Sequence, residues 1–206
     1  MDGNNRWSKK KSISKYISYK RGAENLIKLS DYIFSNTKCK YISAFALSVN
    51  NLERSSTILE IIKKVLIESL NHKKLKKLNF DIHFIGNFKF LNADAERKIN
   101  QFNLNNNYTN KLFIFLNYGG RQDIENAALR FKSKNNNFAS SLSTFNLPDP
   151  DLLIRTGGFS RLSNFLLYQI AFTELYFSKK LWPELNNSDL KKIFLNYSKI
   201  ERKFGR

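Results

Sequence analysis

The chain has almost none of the residues that cross-link or anchor a fold chemically. Cys39 is its one cysteine, which excludes an internal disulfide, and with only His72 and His83 no Cys/His set is spaced for a structural zinc site. Such cysteine usage suits a reducing cytoplasm. No apolar run approaches the ~20 residues of a membrane-spanning helix, and the opening MDGNNRWSKKK lacks the apolar core of a signal peptide. Acidic residues are scarce: 17 Asp and Glu face 35 Lys and Arg, a formal charge of +18. The lysine runs at 9–11 and 72–77 (HKKLKK) carry no interleaved aromatic platforms and match no nucleic-acid-binding motif, so no nucleic acid partner is expected. The excess reads as solvated helix faces, with anionic substrates and anionic lipid surfaces as beneficiaries.

What is present is the material for a core. Hydrophobic residues make up 42%, with 18 Phe and 9 Tyr, which is too apolar for disorder. A domain of this size can bury roughly 70% of its unfolded surface. Residues 22–35 place Ala23, Leu26, Ile27, Ile33 and Phe34 at helical spacing, and 41–49 (YISAFALSV) read as a buried strand. Thr57 and Glu60 form a capping box for a helix whose Leu59, Ile62, Val65, Leu66 and Leu70 face inward. Strands are expected at 80–85, 111–117 and 152–155, helices at 93–102, 122–132 and 165–172, and a loop or frayed helix at 135–146. Ser188 caps a last helix carrying Leu190, Ile193, Phe194, Tyr197 and Ile200 on one face. The alternation predicts an α/β fold: one domain over residues 1–206, with a mostly parallel central sheet flanked by helices.

Ligands of such sheets bind beyond the carboxyl ends of the strands, where the polar segments 48–54, 117–121 (NYGGR) and 155–163 (RTGGFSRLS) fall. In the last of these, Arg155, Arg161, Thr156 and Ser163 set guanidinium forks and hydroxyls around Gly157 and Gly158, a grouping suited to a diphosphate. The opening adds Asp2, Gly3, Asn4, Asn5, Arg6 and Trp7. Magnesium commonly takes one or two carboxylates and fills its shell from substrate phosphates and water, and Asp2 and Glu174 are the candidate carboxylates.

MDGNNRW, SVNNLER, NYGGR, LPDPDLLIRTGG, RLSNFLL, ELYF, LWPEL and ERKFG follow one another in the order of the cis-prenyltransferases, and the chain resembles bacterial members of the undecaprenyl diphosphate synthase type over nearly its whole length. The resemblance implies the fold of that family, a homodimer, and a magnesium-dependent transferase. Such an enzyme condenses isopentenyl diphosphate with an allylic primer such as farnesyl diphosphate to make a cis-polyprenyl lipid carrier for cell-wall glycans. By the same resemblance Asp2 holds Mg2+ with Glu174 and is essential; Gly3, Asn4, Asn5, Arg6, Trp7, Lys15 and Tyr19 line the allylic diphosphate site. Asn51 stands where the family removes a proton, in a loop with Ser48, Asn50, Leu52 and Arg54, while Arg155, Arg161 and Ser163 hold isopentenyl diphosphate.

The chain departs from the family at several of these positions. Tyr19 replaces a histidine, Lys15 an arginine, Leu52 a tryptophan and Asn50 a glutamate, and Phe159 stands where a polar or acidic residue is common. The family leads into its aspartate with an apolar strand, which the residues from Met1 do not supply. The departures leave open a short-chain or branching synthase of the same fold, or a non-catalytic family member.

Overall fold

The computed structural model describes residues 1–52, 56–131 and 137–202. Helices α1 (Asn4–Lys10) and α2 (Lys15–Asn36) lead to strand β1 (Tyr41–Ser48), a single turn α3 (Val49–Leu52), helix α4 (Ser56–Leu70) and strand β2 (Asp81–Gly86). Then come α5 (Ala93–Leu104), β3 (Lys111–Tyr118), α6 (Gly120–Arg130), β4 (Leu152–Arg155), β5 (Glu174–Phe177) and α7 (Asn187–Tyr197). Every strand pair among the described residues is parallel, as expected, but the strands form a three-stranded sheet in the order β1-β3-β2 and a separate pair β4-β5.

Strand β3 organises the interior because its two faces are both covered. Leu112, Ile114 and Leu116 point into one apolar cluster with Leu26 and Leu29 of α2 and Ile99 of α5. Phe113 and Phe115 point the other way, into a cluster with Tyr118, Phe165, Leu166 and Ile170. The period-2 alternation of a strand thus divides one apolar run between two cores. Phe115, with no exposed surface, contributes roughly 3 kcal/mol by burial alone.

Several boundaries differ from the sequence expectation for local reasons. Helix α2 begins well before Gly22, because Ser14 caps it by accepting from the Ile17 amide at 3.2 Å. Asn4, Asn5, Arg6 and Trp7 of the opening motif lie in helix α1. Ser56 is already helical, so Thr57 lies inside the first turn of α4 rather than at its cap. The last helix is capped by Asn186 in a box with Asp189, and Ser188 donates to the Asn186 side chain at 2.7 Å. The helix expected at 165–172 is a succession of turns: Ser163, Asn164 and Leu166 have φ of 52°, 65° and 46°, left-handed values that an α-helix cannot propagate through. ELYF, with no secondary structure assigned from sequence, forms β5.

His83 on β2 stacks on Phe113 of β3 at 5.2 Å, and its Nε2 finds no hydrogen-bond partner among the described residues. Burial lowers its pKa below the ordinary 6.5, Lys111 adds to the effect, and Asp81 and the Asn103 contact oppose it. Because the folded value is depressed, the stability contributed by neutral His83 is complete above pH 6.5 and is lost as pH falls through the folded value. Denaturant titrations from pH 7.5 down to pH 5 should show stability declining in the wild type and declining less steeply in His83→Phe; parallel declines would remove this residue as a cause.

Candidate active site

The N-terminal segment is fixed to the carboxyl end of β4 through its backbone. The Asp2 amide donates to Thr156 Oγ1 at 3.0 Å, and the Thr156 hydroxyl donates back to the Asp2 carbonyl at 3.1 Å. The Trp182 amide donates to the same carbonyl at 2.9 Å. Thr156 is 1% exposed, so these bonds are made away from water. Trp182 is itself held by Asn25 of α2, whose Nδ2 donates to the carbonyls of Trp182 and Leu185, each at 3.0 Å. Gly3 turns the chain into α1 with φ 113°, and a Cβ there would meet the Leu181 side chain at 2.8 Å.

This stitching delivers the Asp2 carboxylate to two guanidinium groups. Arg6 Nη2 lies 3.3 Å from Oδ1 and Arg155 Nη2 lies 3.2 Å from Oδ2. Arg155 also donates to Ser163 Oγ at 2.8 Å and to the Arg161 carbonyl. Gly157, with φ 92°, lets the backbone pass beneath: a Cβ there would lie 2.5 Å from Arg6 Nη2 and 3.1 Å from Asp2 Cβ. The terminal segment and the RTGG turn, 153 residues apart in sequence, are therefore one polar site.

The ends of β1 and β3 adjoin it. Ser48 pairs with Tyr118 at the last register position of the two strands, and Asn51 Oδ1 accepts from the Ser48 amide at 3.5 Å. Asn164 ties the following loops together: its carbonyl accepts from the Gly120 amide at 2.7 Å and its Oδ1 from the Arg121 amide at 2.8 Å. A Cβ on Gly119 would touch both Asn164 Nδ2 and Val49, so α3 and the RLSN turn meet across this glycine. Lys15 opens α2 and Tyr19 follows one turn later, with Ser18 donating to the Asn4 carbonyl at 2.6 Å between them. Asn50 is exposed. Arg54 and the Leu52 side chain lie outside the described residues.

Glu174 is the second carboxylate that the resemblance assigns to the metal site. It heads β5 opposite Leu152, whereas Arg155, which touches Asp2, pairs with Phe177. The length of the strand, ~10 Å, separates the two ends. No group of three His, Cys, Asp or Glu side chains that could hold a metal occurs among the described residues. Asp2 nonetheless fits magnesium of the kind that arrives with a diphosphate: it offers one partly exposed carboxylate beside arginines that bind phosphate oxygens. Buried Asn4 Oδ1, Asn5 Oδ1, Trp7 Nε1 and Arg155 Nε, all without partners among the described residues, are further unsatisfied polar atoms in the segments that make the site.

The sequence grouped the Thr156 hydroxyl with the diphosphate-binding side chains, whereas it is buried and spent on the Asp2 backbone, and Asn164 was not singled out. The signal for Thr156 was its place directly after the strand-ending arginine. Asn164 lay inside RLSN, and its role depends on a left-handed φ of 65° that no spacing rule exposes.

Residues 1–205 match the prenyltransferase family of undecaprenyl diphosphate synthases. The chain is 37% identical over its full length, and over 93% of the relative, to a tritrans,polycis-undecaprenyl-diphosphate synthase (geranylgeranyl-diphosphate specific) of Pyrobaculum aerophilum. It is 36% identical, again over its full length and 95% of the relative, to an isoprenyl transferase of Rickettsia typhi. Among solved structures, lavandulyl diphosphate synthase from Lavandula x intermedia, in complex with dimethylallyl diphosphate, superposes with a TM-score of 0.87 at 27% identity, covering 100% of this chain and 95% of that one.

Thr156→Val keeps the shape of the junction but removes its hydroxyl. Folding stability should fall by about 1–3 kcal/mol, as the Asp2 amide loses its acceptor, and the thermal midpoint with it. An unchanged midpoint would show that this junction does not hold the terminal segment.

Proposed function

Since the chain belongs to the undecaprenyl diphosphate synthase family of prenyltransferases, we propose that it condenses isopentenyl diphosphate with an allylic prenyl diphosphate, farnesyl diphosphate being the expected primer, to form a long cis-polyprenyl diphosphate of undecaprenyl length. The observation that carries this reading is the ion pair of Asp2 with Arg155 at 3.2 Å, which makes one site of the terminal segment and the RTGG turn.

In the reaction the allylic carbon–oxygen bond breaks and diphosphate leaves with the bonding electrons. The electron-deficient carbon is attacked by the isopentenyl double bond, and loss of a proton sets the new cis double bond. Arg6 with Asn4 and Asn5 would receive the allylic diphosphate, and Arg155, Arg161 and Ser163 the diphosphate of the isopentenyl unit, each guanidinium offering charge-assisted hydrogen bonds. Asp2 would hold Mg2+, which supplies positive charge to the leaving group when bound. Asn51, at the end of β1, would stand by the departing proton. Helix α4, whose Leu59, Ile62, Leu66 and Ile67 are only partly buried against the core, would line the path of the growing hydrocarbon.

No helix among the described residues is long and apolar enough to cross a membrane. We read residues 1–206 as a single catalytic unit acting as a homodimer in the cytoplasm, with the positive surface touching anionic lipid at the inner membrane face.

A second reading, a branching synthase that joins short prenyl units, is favoured by the likeness to lavandulyl diphosphate synthase and by Tyr19 and Asn50. Incubation of the protein with radiolabelled isopentenyl diphosphate, with dimethylallyl, farnesyl or geranylgeranyl diphosphate and with or without magnesium, followed by chromatography, separates the readings. Long cis products from farnesyl or geranylgeranyl primers support elongation, a branched short product supports the second reading, and no product with any primer points to a non-catalytic member.

Asp2→Ala should lower turnover on the order of 100-fold or more, the scale of removing one transition-state electrostatic partner. The Asp2 backbone bonds survive in this variant, so its circular dichroism spectrum should match the wild type. Near wild-type turnover would sink the assignment of Asp2.

A further inference from the structure

Phe159 is a large aromatic residue that is 36% exposed and belongs to neither apolar cluster. Its surroundings are cationic. The guanidinium carbon of Arg161 lies 4.0 Å from the ring centroid, that of Arg6 4.7 Å and that of Arg155 5.9 Å. Asp2 pairs with Arg6 and Arg155, but among the described residues the Arg161 guanidinium has neither a carboxylate nor a hydrogen-bond acceptor, and the ring is its contact. The loop that presents the ring is anchored at its base: the Gly157 amide donates to the Lys180 carbonyl at 2.7 Å and the Gly158 amide to the Ser178 carbonyl at 2.9 Å.

Like-charged guanidinium groups repel, and three of them converge here against one carboxylate. An additional carboxylate would gather them more strongly, but it would also cancel their charge and repel an incoming diphosphate. The face of an aromatic ring attracts cations through its quadrupole and carries no net charge. We propose that Phe159 is a positioning residue, an uncharged platform that holds Arg161 beside Arg6 and Arg155 so that the guanidinium groups present their full charge to a diphosphate. This rests on the reading of the RTGG turn as a diphosphate site.

The test titrates inorganic diphosphate calorimetrically into wild type, Phe159→Leu, Phe159→Trp, Arg161→Ala and the Phe159→Leu/Arg161→Ala double variant. Steady-state kinetics on isopentenyl diphosphate accompany it. Phe159→Leu keeps an apolar side chain on an exposed loop, so the fold is retained. It should weaken diphosphate binding and raise KM for isopentenyl diphosphate about 3- to 10-fold, the scale of one or two exposed cation–π contacts, with kcat within about twofold. Phe159→Trp should restore both, and Arg161→Ala should cost less in the Leu background than in the wild type. Wild-type binding that persists undiminished in Phe159→Leu, a Trp variant no better than Leu, or equal Arg161→Ala losses in both backgrounds would overturn the platform alone. Failure of the wild type to bind diphosphate would overturn the platform and the site reading together.

Discussion

The site depends on the attachment of one backbone unit, that of Asp2, to the end of β4. Thr156 both donates to and accepts from that unit, and Trp182 adds a donor. Each such bond contributes only about 1 kcal/mol net, but together they decide where the carboxylate stands. The ion pair with Arg6 is a weaker anchor: the Arg6 and Asp2 side chains are 44% and 37% exposed, and solvent screens their attraction, whereas the Arg155 side chain is 13% exposed. The arrangement is therefore built from the inside outward. Buried main-chain bonds set the position, and under the proposed function the partly exposed Asp2 and Arg6 side chains would exchange partners when an anion arrives.

The same logic extends to the interior that carries these bonds. Trp182 can serve Asp2 because its indole nitrogen donates to the Gly22 carbonyl at 2.8 Å and Asn25 holds its carbonyl, so α2 supports the far side of the junction. Helix α2 is in turn packed on the face of β3 that carries Leu112, Ile114 and Leu116. The opposite face of β3 seats Phe165 and Leu166, which continue directly from Ser163 and Asn164. One buried strand thus braces both halves of the polar site, the terminal segment through α2 and the RTGG-to-RLSN turn through its aromatic face.

The parts legible in the sequence are those that a period reports. Strands β1, β2 and β3 were recognisable as short apolar runs, and α4, α5 and α6 as amphipathic stretches, because burial acts on every second or every third to fourth side chain. The arginines, glycines and Asp2 were identifiable as candidates because their chemistry and order are unusual. What the sequence did not expose depends on single dihedrals and on contacts across the chain. The segment 165–172 has an apolar pattern compatible with a helix, yet the left-handed residues Ser163, Asn164 and Leu166 turn it into a run of turns packed on β3. Phe159 was noticed only as a departure, since nothing in a linear string shows that Arg6 and Arg161 converge on its ring.

The register of β4 and β5 also constrains how a cation could enter. Glu174 stands at the other end of the strand pair from Arg155, and among the described residues Asp2 is the carboxylate that pairs with Arg6 and Arg155. A carboxylate already engaged by two guanidinium groups is a poor binder for a free divalent ion, which would have to displace them and lose water for little return. A diphosphate changes the balance, because its oxygens can take over the guanidinium groups while offering ligands to the metal. Under the proposed function, metal and substrate would therefore be held together or scarcely at all. The ion pairs seen between Asp2 and its arginines would be the resting arrangement that keeps three mutually dependent charges in place until the anion replaces the carboxylate.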